Sequence, residues 1–200
     1  MHENPFCPPC LKGIALGIIL TSLSLAQSPE ADKTSAEAQV EAQVMKVKQT
    51  MAVNNLRQLG LALFEFETEY GAYPNEKTAA DVKTNTGSKL ELKGVTADDC
   101  FRQLIAANIL QTEEILTAGK IPGKAEDKGK PAKWVFSYAS LGTAAGSPRR
   151  PLAFYPMVRG KTTFDPVTLN GKAVVLFADN SVRSFPIEKD GKVLLDGKDM

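Results

Sequence analysis

Histidine is almost missing from this chain of 200 residues: the single copy is His2, and two of the three cysteines, Cys7 and Cys10, also stand ahead of the apolar run 13–26. Past that run there is no imidazole and one thiol, Cys100. Ser-His-Asp and Cys-His catalysis and every His-ligated zinc site need an imidazole as base or ligand, so none is open to the chain beyond residue 26. An excess of positive charge is missing as well. With 24 Lys and Arg against 23 Asp and Glu, the net charge of +1 offers little to neutralise a phosphate backbone, and nucleic acid is not an expected partner. No glycine-rich phosphate loop follows a strand-like segment.

Long apolar runs are also lacking. The longest, GIALGIILTSLSLA (13–26), has 14 residues and spans about 21 Å as a helix, against roughly 30 Å of bilayer hydrocarbon. Lys12 precedes it and the small-x-small trio Ser24, Leu25, Ala26 closes it, which is the plan of a secretory signal peptide. The expectation is a signal peptide over 1–26 cut after Ala26, and an exported protein of the periplasm or cell surface that meets membrane only if this segment stays uncleaved. Cys7-Pro-Pro-Cys10 has redox-motif spacing, but that chemistry needs it at a helix start inside a βαβ unit, and here it falls in the discarded segment.

What is present begins with a polar linker, 27–34, and then one dominant element. Thr34 with Glu37 has the form of a capping box, and helix formers continue without Pro or Gly to Gly60. Gly71 and Pro74 stop the pattern, so the helix is expected over about 35–70. Its first part, 35–53, is polar apart from Val40, Val44, Val47 and Met51, in steps of four, three and four, and is expected to protrude as an arm. In its second part Leu56, Leu59, Leu63, Phe66 and Tyr70 form an apolar face that Leu61, Ala62 and Phe64 widen, predicting broad burial in a globular domain over 54–200. Thr96 and Asp99 form a second capping box ahead of a short helix carrying Cys100, Leu104 and Ile105 on one face.

The remaining periodic segments are β-like: 134–140, 152–158, 173–178, 182–187 and 192–195 are rich in aromatic and β-branched residues. Asp179-Asn180 tolerates left-handed backbone angles and predicts a hairpin between 173–178 and 182–187. The stretches 119–133 and 142–150 read as loops. A long helix, a short second helix and then consecutive antiparallel strands define an α+β class in which a small antiparallel sheet covers the apolar half of the helix.

On these residues a resemblance can be stated. The run NNLRQLGLALFEFETEYGAYP (54–74) resembles the distal half of the spine helix of type IV pilin-like proteins and type II secretion pseudopilins, with their tyrosine-glycine-x-tyrosine-proline exit. It is especially similar to the prepilin-like group of planctomycetes and verrucomicrobia. DDCFRQLIAANIL resembles the second helix of that group, and VVLFADNSVRSFPI its closing hairpin. The resemblance implies a pilin-like globular domain and a structural or accessory role in an envelope secretion or surface assembly, not an enzyme. Three departures stand beside it. There is no glycine-phenylalanine processing site followed by an apolar assembly helix with its glutamate, the closing turn is Asp179-Asn180 where aspartate-glycine is usual, and a histidine found upstream of that turn in one related group is absent. The chain therefore reads as an exported pseudopilin-like domain whose assembly segment is replaced by a signal peptide and a polar helical arm. The alternative is a freestanding periplasmic module that holds a ligand or protein.

Candidate chemistry is sparse. Asp98 and Asp99 at a helix start read as caps, Tyr70 and Tyr73 as rings covering the helix end, and the lysines of 119–133 as a solvated loop. No cofactor is expected. Calcium is the one metal to weigh, because major pseudopilins bind it near the C-terminal strands, where Asp165, Asp190, Asp196 and Asp199 supply oxygens here; turn chemistry accounts for these aspartates first. The candidate interaction residues are Val40, Val44, Val47 and Met51. Their mean spacing of 3.5 is that of a coiled-coil seam, and a partner helix is the expected occupant, from a second copy or from an envelope or secretion-system protein.

Overall fold

The computed structural model describes residues 29–93, 96–117, 134–139, 148–158, 160–195 and 198–199, with side chains described from residue 37 to 195 within these ranges. Helix α1, Pro29–Tyr70, is 42 residues long, about 63 Å at 1.5 Å per residue. It starts earlier than the expected residue 35, so part of the stretch read as linker is helical and Thr34 is internal. Pro29 is suited to the first helical position, where its missing N–H costs nothing. Gly71, at φ 74°, ends the helix with its N–H on Glu67 O, as the sequence predicts.

Two helices follow. Helix α2, Glu76–Thr86, was not foreseen from the sequence; α3, Ala97–Ala106, was. Asn75 caps α2 by accepting from the N–H groups of Lys77 and Thr78, and Gly87 closes it in the left-handed region. Thr96 caps α3 with Asp99 answering from the third position. The two helices are tied through a buried side chain: Thr78 Oγ1 donates to Gln103 Oε1 at 2.7 Å, and Gln103 Nε2 donates to Asn75 O at 2.9 Å.

The sheet is a four-stranded antiparallel meander, β1 (Ser137–Tyr138), β2 (Pro151–Tyr155), β3 (Lys172–Phe177) and β4 (Val182–Pro186), in that spatial order. A second small pair joins β5 (Leu194–Leu195) to β6 (Lys198–Asp199). The β3–β4 hairpin forms as predicted, but its turn is the three-residue loop 178–180: Phe177 N donates to Ser181 O across it, Asn180 and not Asp179 is left-handed at φ 60°, and the Asp179 carboxylate accepts from Ser181 N. On one face of the sheet Leu152, Tyr155, Val174 and Leu176 pack with Leu56, Leu59, Leu63 and Phe66 of α1, and with Phe101 and Leu104 of α3. Each of those fully buried Leu and Phe side chains contributes about 1.5–3 kcal/mol relative to exposure. On the other face Phe154, Ala173, Val175 and Phe177 are covered by Phe164, Val193 and Phe185. Strand β3 is thus buried on both faces, which explains its unbroken apolar sequence. The molecule is α+β, with a long helix packed on a small antiparallel sheet.

The breadth of the buried face of α1 was overread. Leu61 is 60% and Phe64 64% exposed, whereas Ala62 is buried. At 100° per residue Leu61 lies roughly 140–160° from Leu56, Leu59 and Phe66, and Phe64 roughly 140–160° from Leu59 and Phe66, so both fall outside the face that the sheet covers.

Candidate functional site

The position of Gln49 fixes how α1 presents its faces. Its Nε2 donates to Ser184 Oγ of β4 at 3.0 Å, so the Gln49 side of the helix faces the sheet edge. Val40, Val44, Val47 and Met51 lie roughly 140–180° around the helix from Gln49. Val40 and Val47, about 120–140° from the fully buried Ala52, point away from the sheet, whereas Val44 and Met51, about 80–100° from it, lie on the flank. Val40 is 61% and Val47 53% exposed, while Val44 and Met51 are half-buried. Beside them Gln43, Lys46, Val47, Thr50 and Met51 line a shallow groove on the helix surface. The free stretch is shorter than the arm expected over 35–53, because Gln49 is already bonded to β4 and Ala52 is fully buried. The four residues fall within about 60° of one another around α1, and the exposed Leu61 lies farther round the helix, about 40–60° from Val47 and Val40.

Among the described residues no helix is long and apolar enough to cross a membrane. The apolar run 13–26, with Cys7 and Cys10, lies outside the described residues, as do 118–133 and Asp196.

The residues weighed for chemistry are held by structural work. Asp99 accepts from Thr96 N and Thr96 Oγ1 and pairs with Arg102 at 3.0 Å; burial pushes its carboxyl up, but the bonds from Thr96 and the Arg102 charge bring it below the usual value. Cys100 is buried, its Sγ directed at Pro74 O, and burial together with the Asp99 charge pushes the thiol up to about 12. Such a thiol is a poor nucleophile. Tyr73 is buried with the Arg150 guanidinium 5.9 Å over its ring, and Tyr70 stacks on Phe66 at 4.5 Å, so both rings close the helix end as read. Asp165 accepts from Val167 N and Thr168 Oγ1, and Asp190 from Lys192 N. Both serve their own turns, and among the described residues no three His, Cys, Asp or Glu side chains converge as a metal site would need.

Sequence reasoning missed one concavity. A cleft of about 550 Å³ opens between the start of α3 and the 156–168 segment, lined by Asp98, Trp134, Ser137, Tyr155, Lys161 and Asp165 among others. Trp134 Nε1 donates to Glu113 Oε2 at 3.2 Å and its ring lies 5.8 Å from the Arg102 guanidinium. No local motif marks it, since its walls come from three separated segments. In comparisons with known proteins, no family model, no curated protein and no solved structure matches the chain.

Proposed function

We propose that the protein is an exported, pseudopilin-like structural or accessory subunit of an envelope secretion or surface assembly, acting through the outward face of α1 and not as an enzyme. One observation carries this reading. A helix anchored along one side by a sheet presents Val40, Val47 and Leu61 to solvent on the other, and exposed apolar side chains in register along a rigid rod are what a partner helix covers. The export and the kinship with pseudopilins rest on the signal-like N-terminus and on the helix exit, Tyr70-Gly71-Ala72-Tyr73-Pro74. The cleft beside Trp134 favours a second reading, a periplasmic ligand- or protein-binding module on the same domain.

A photo-crosslinking residue placed at Val47, at Val40 or at Trp134 in the native cell separates the two. The assembly reading expects discrete adducts from Val47 and Val40 and none from Trp134. Adducts from Trp134 alone would replace it with the binding module.

A further inference from the structure

We propose that the partner of the α1 stripe is a second copy of this chain, with the two helices antiparallel and in one register; this rests on the assembly reading above. Take Val44 and Met51 as a positions and Val40 and Val47 as d positions of a heptad. Glu37 is then an a, Asn54 a d, and Glu41 and Lys48 are e positions. Set a second copy antiparallel so that Val44 meets the other copy's Val47. Val40 then meets Met51, and both contacts repeat through the two-fold axis, giving four apolar layers. The same register places Glu37 against Asn54 at each end, polar on polar. It also places Glu41 of each copy beside Lys48 of the other, because antiparallel helices bring e positions against e positions.

The competing arrangements each break one of these matches. A parallel pair stacks Glu37 on Glu37 in a core position, leaves Glu41 and Lys48 facing Ala36 and Gln43, and puts β-branched Val at d, where two-stranded parallel coils favour Leu. Sliding the antiparallel pair by one heptad in either direction leaves two apolar layers and sets Val47 against Glu37, or Val44 against Asn54. Glu41 is exposed and Lys48 half-buried; they are two turns apart on their own helix, and neither is engaged with another described side chain. The sheet lies on the far side of α1 from Val40 and Val47, where Gln49 is bonded to β4, and the domain meets the flank of the seam only at its body end, where Asn55 donates to Thr117 O at 2.8 Å. A self-complementary patch of this kind closes as a symmetric dimer. The contact is short, below about 1,200 Å² in total, and belongs with reversible interfaces.

Charge exchange tests the register without altering the apolar layers. In sedimentation equilibrium from low to high micromolar, the protein is expected to form a dimer. Glu41→Lys should weaken it about tenfold, as two attractions become repulsions. Glu41→Lys with Lys48→Glu should restore it, and Val44→Glu with Val47→Glu should leave a monomer with unchanged circular dichroism. A wild-type monomer across the range overturns the proposal, as does a dimer indifferent to Glu41→Lys or not restored by the double exchange. A chain that is monomeric in solution yet crosslinks from Val47 to a different envelope protein keeps the assembly reading and removes self-pairing, so the two can fail separately.

Discussion

Gly60 lies inside α1 directly under the β3–β4 turn, where a Cβ would overlap the Asn180 side chain and Leu176. The helix accepts the propensity cost of an internal glycine, about 1 kcal/mol relative to alanine, because the turn must approach this closely. Gly60→Ala should therefore destabilise the fold by about 1–3 kcal/mol in urea unfolding, where an exposed helical glycine would gain from the same change. The Cys100 thiol, pushed up to about 12, sets a second expectation. Its folded pKa lies above the unfolded one, so its contribution is complete below the ordinary thiol value and is lost as pH rises from there toward 12. Stability measured across that alkaline window should fall more steeply for the wild type than for Cys100→Ala, and native protein should resist thiol reagents at neutral pH. Thr96 and Asp99 were legible from spacing alone because a capping box is a local device. The closeness of Gly60 to Asn180 was not, since 120 residues separate them and only the folded hairpin brings them together.

At the scale of elements, α1 is two helices in one: an anchored face that holds the domain together and a free face that does not. Leu59→Ala should cost about 2–5 kcal/mol, because it opens a cavity against the sheet. Val44→Glu with Val47→Glu should change the unfolding free energy by less than about 0.5 kcal/mol, and thermal unfolding monitored by circular dichroism checks the contrast. The stripe at Val40, Val44, Val47 and Met51 was readable from its period. The exposure of Leu61 and Phe64 was not, since hydrophobicity on a helix does not say which side a sheet will cover. Helix α2 escaped notice for a related reason: it buries little besides Thr78, Ala79 and Val82, and so has almost no apolar period. Its caps, Asn75 and Gly87, were the signal that could have found it. The β3–β4 hairpin, with dense β-branched residues and a short turn around Asp179-Asn180, carried its own instructions.

For the whole molecule, the order of long helix, short helix α3 and meander sheet was legible, α2 excepted, because each of these elements is specified locally and neighbours in sequence pair in space. The Trp134 cleft was hidden, being the product of how separated segments meet. Among the described residues the buried carboxylate Asp99 caps α3 and the Cys100 thiol sits in the core, while Val40 and Val47 stand in solvent. The most direct test is the size of the native complex. Gently solubilised envelope from cells making the wild-type chain should carry it in a species well above 21.6 kDa, and cells making the Val44→Glu, Val47→Glu chain should release it at monomer size with its unfolding temperature unchanged. A variant that stays in the same large species, or a wild type already at monomer size, would contradict the account.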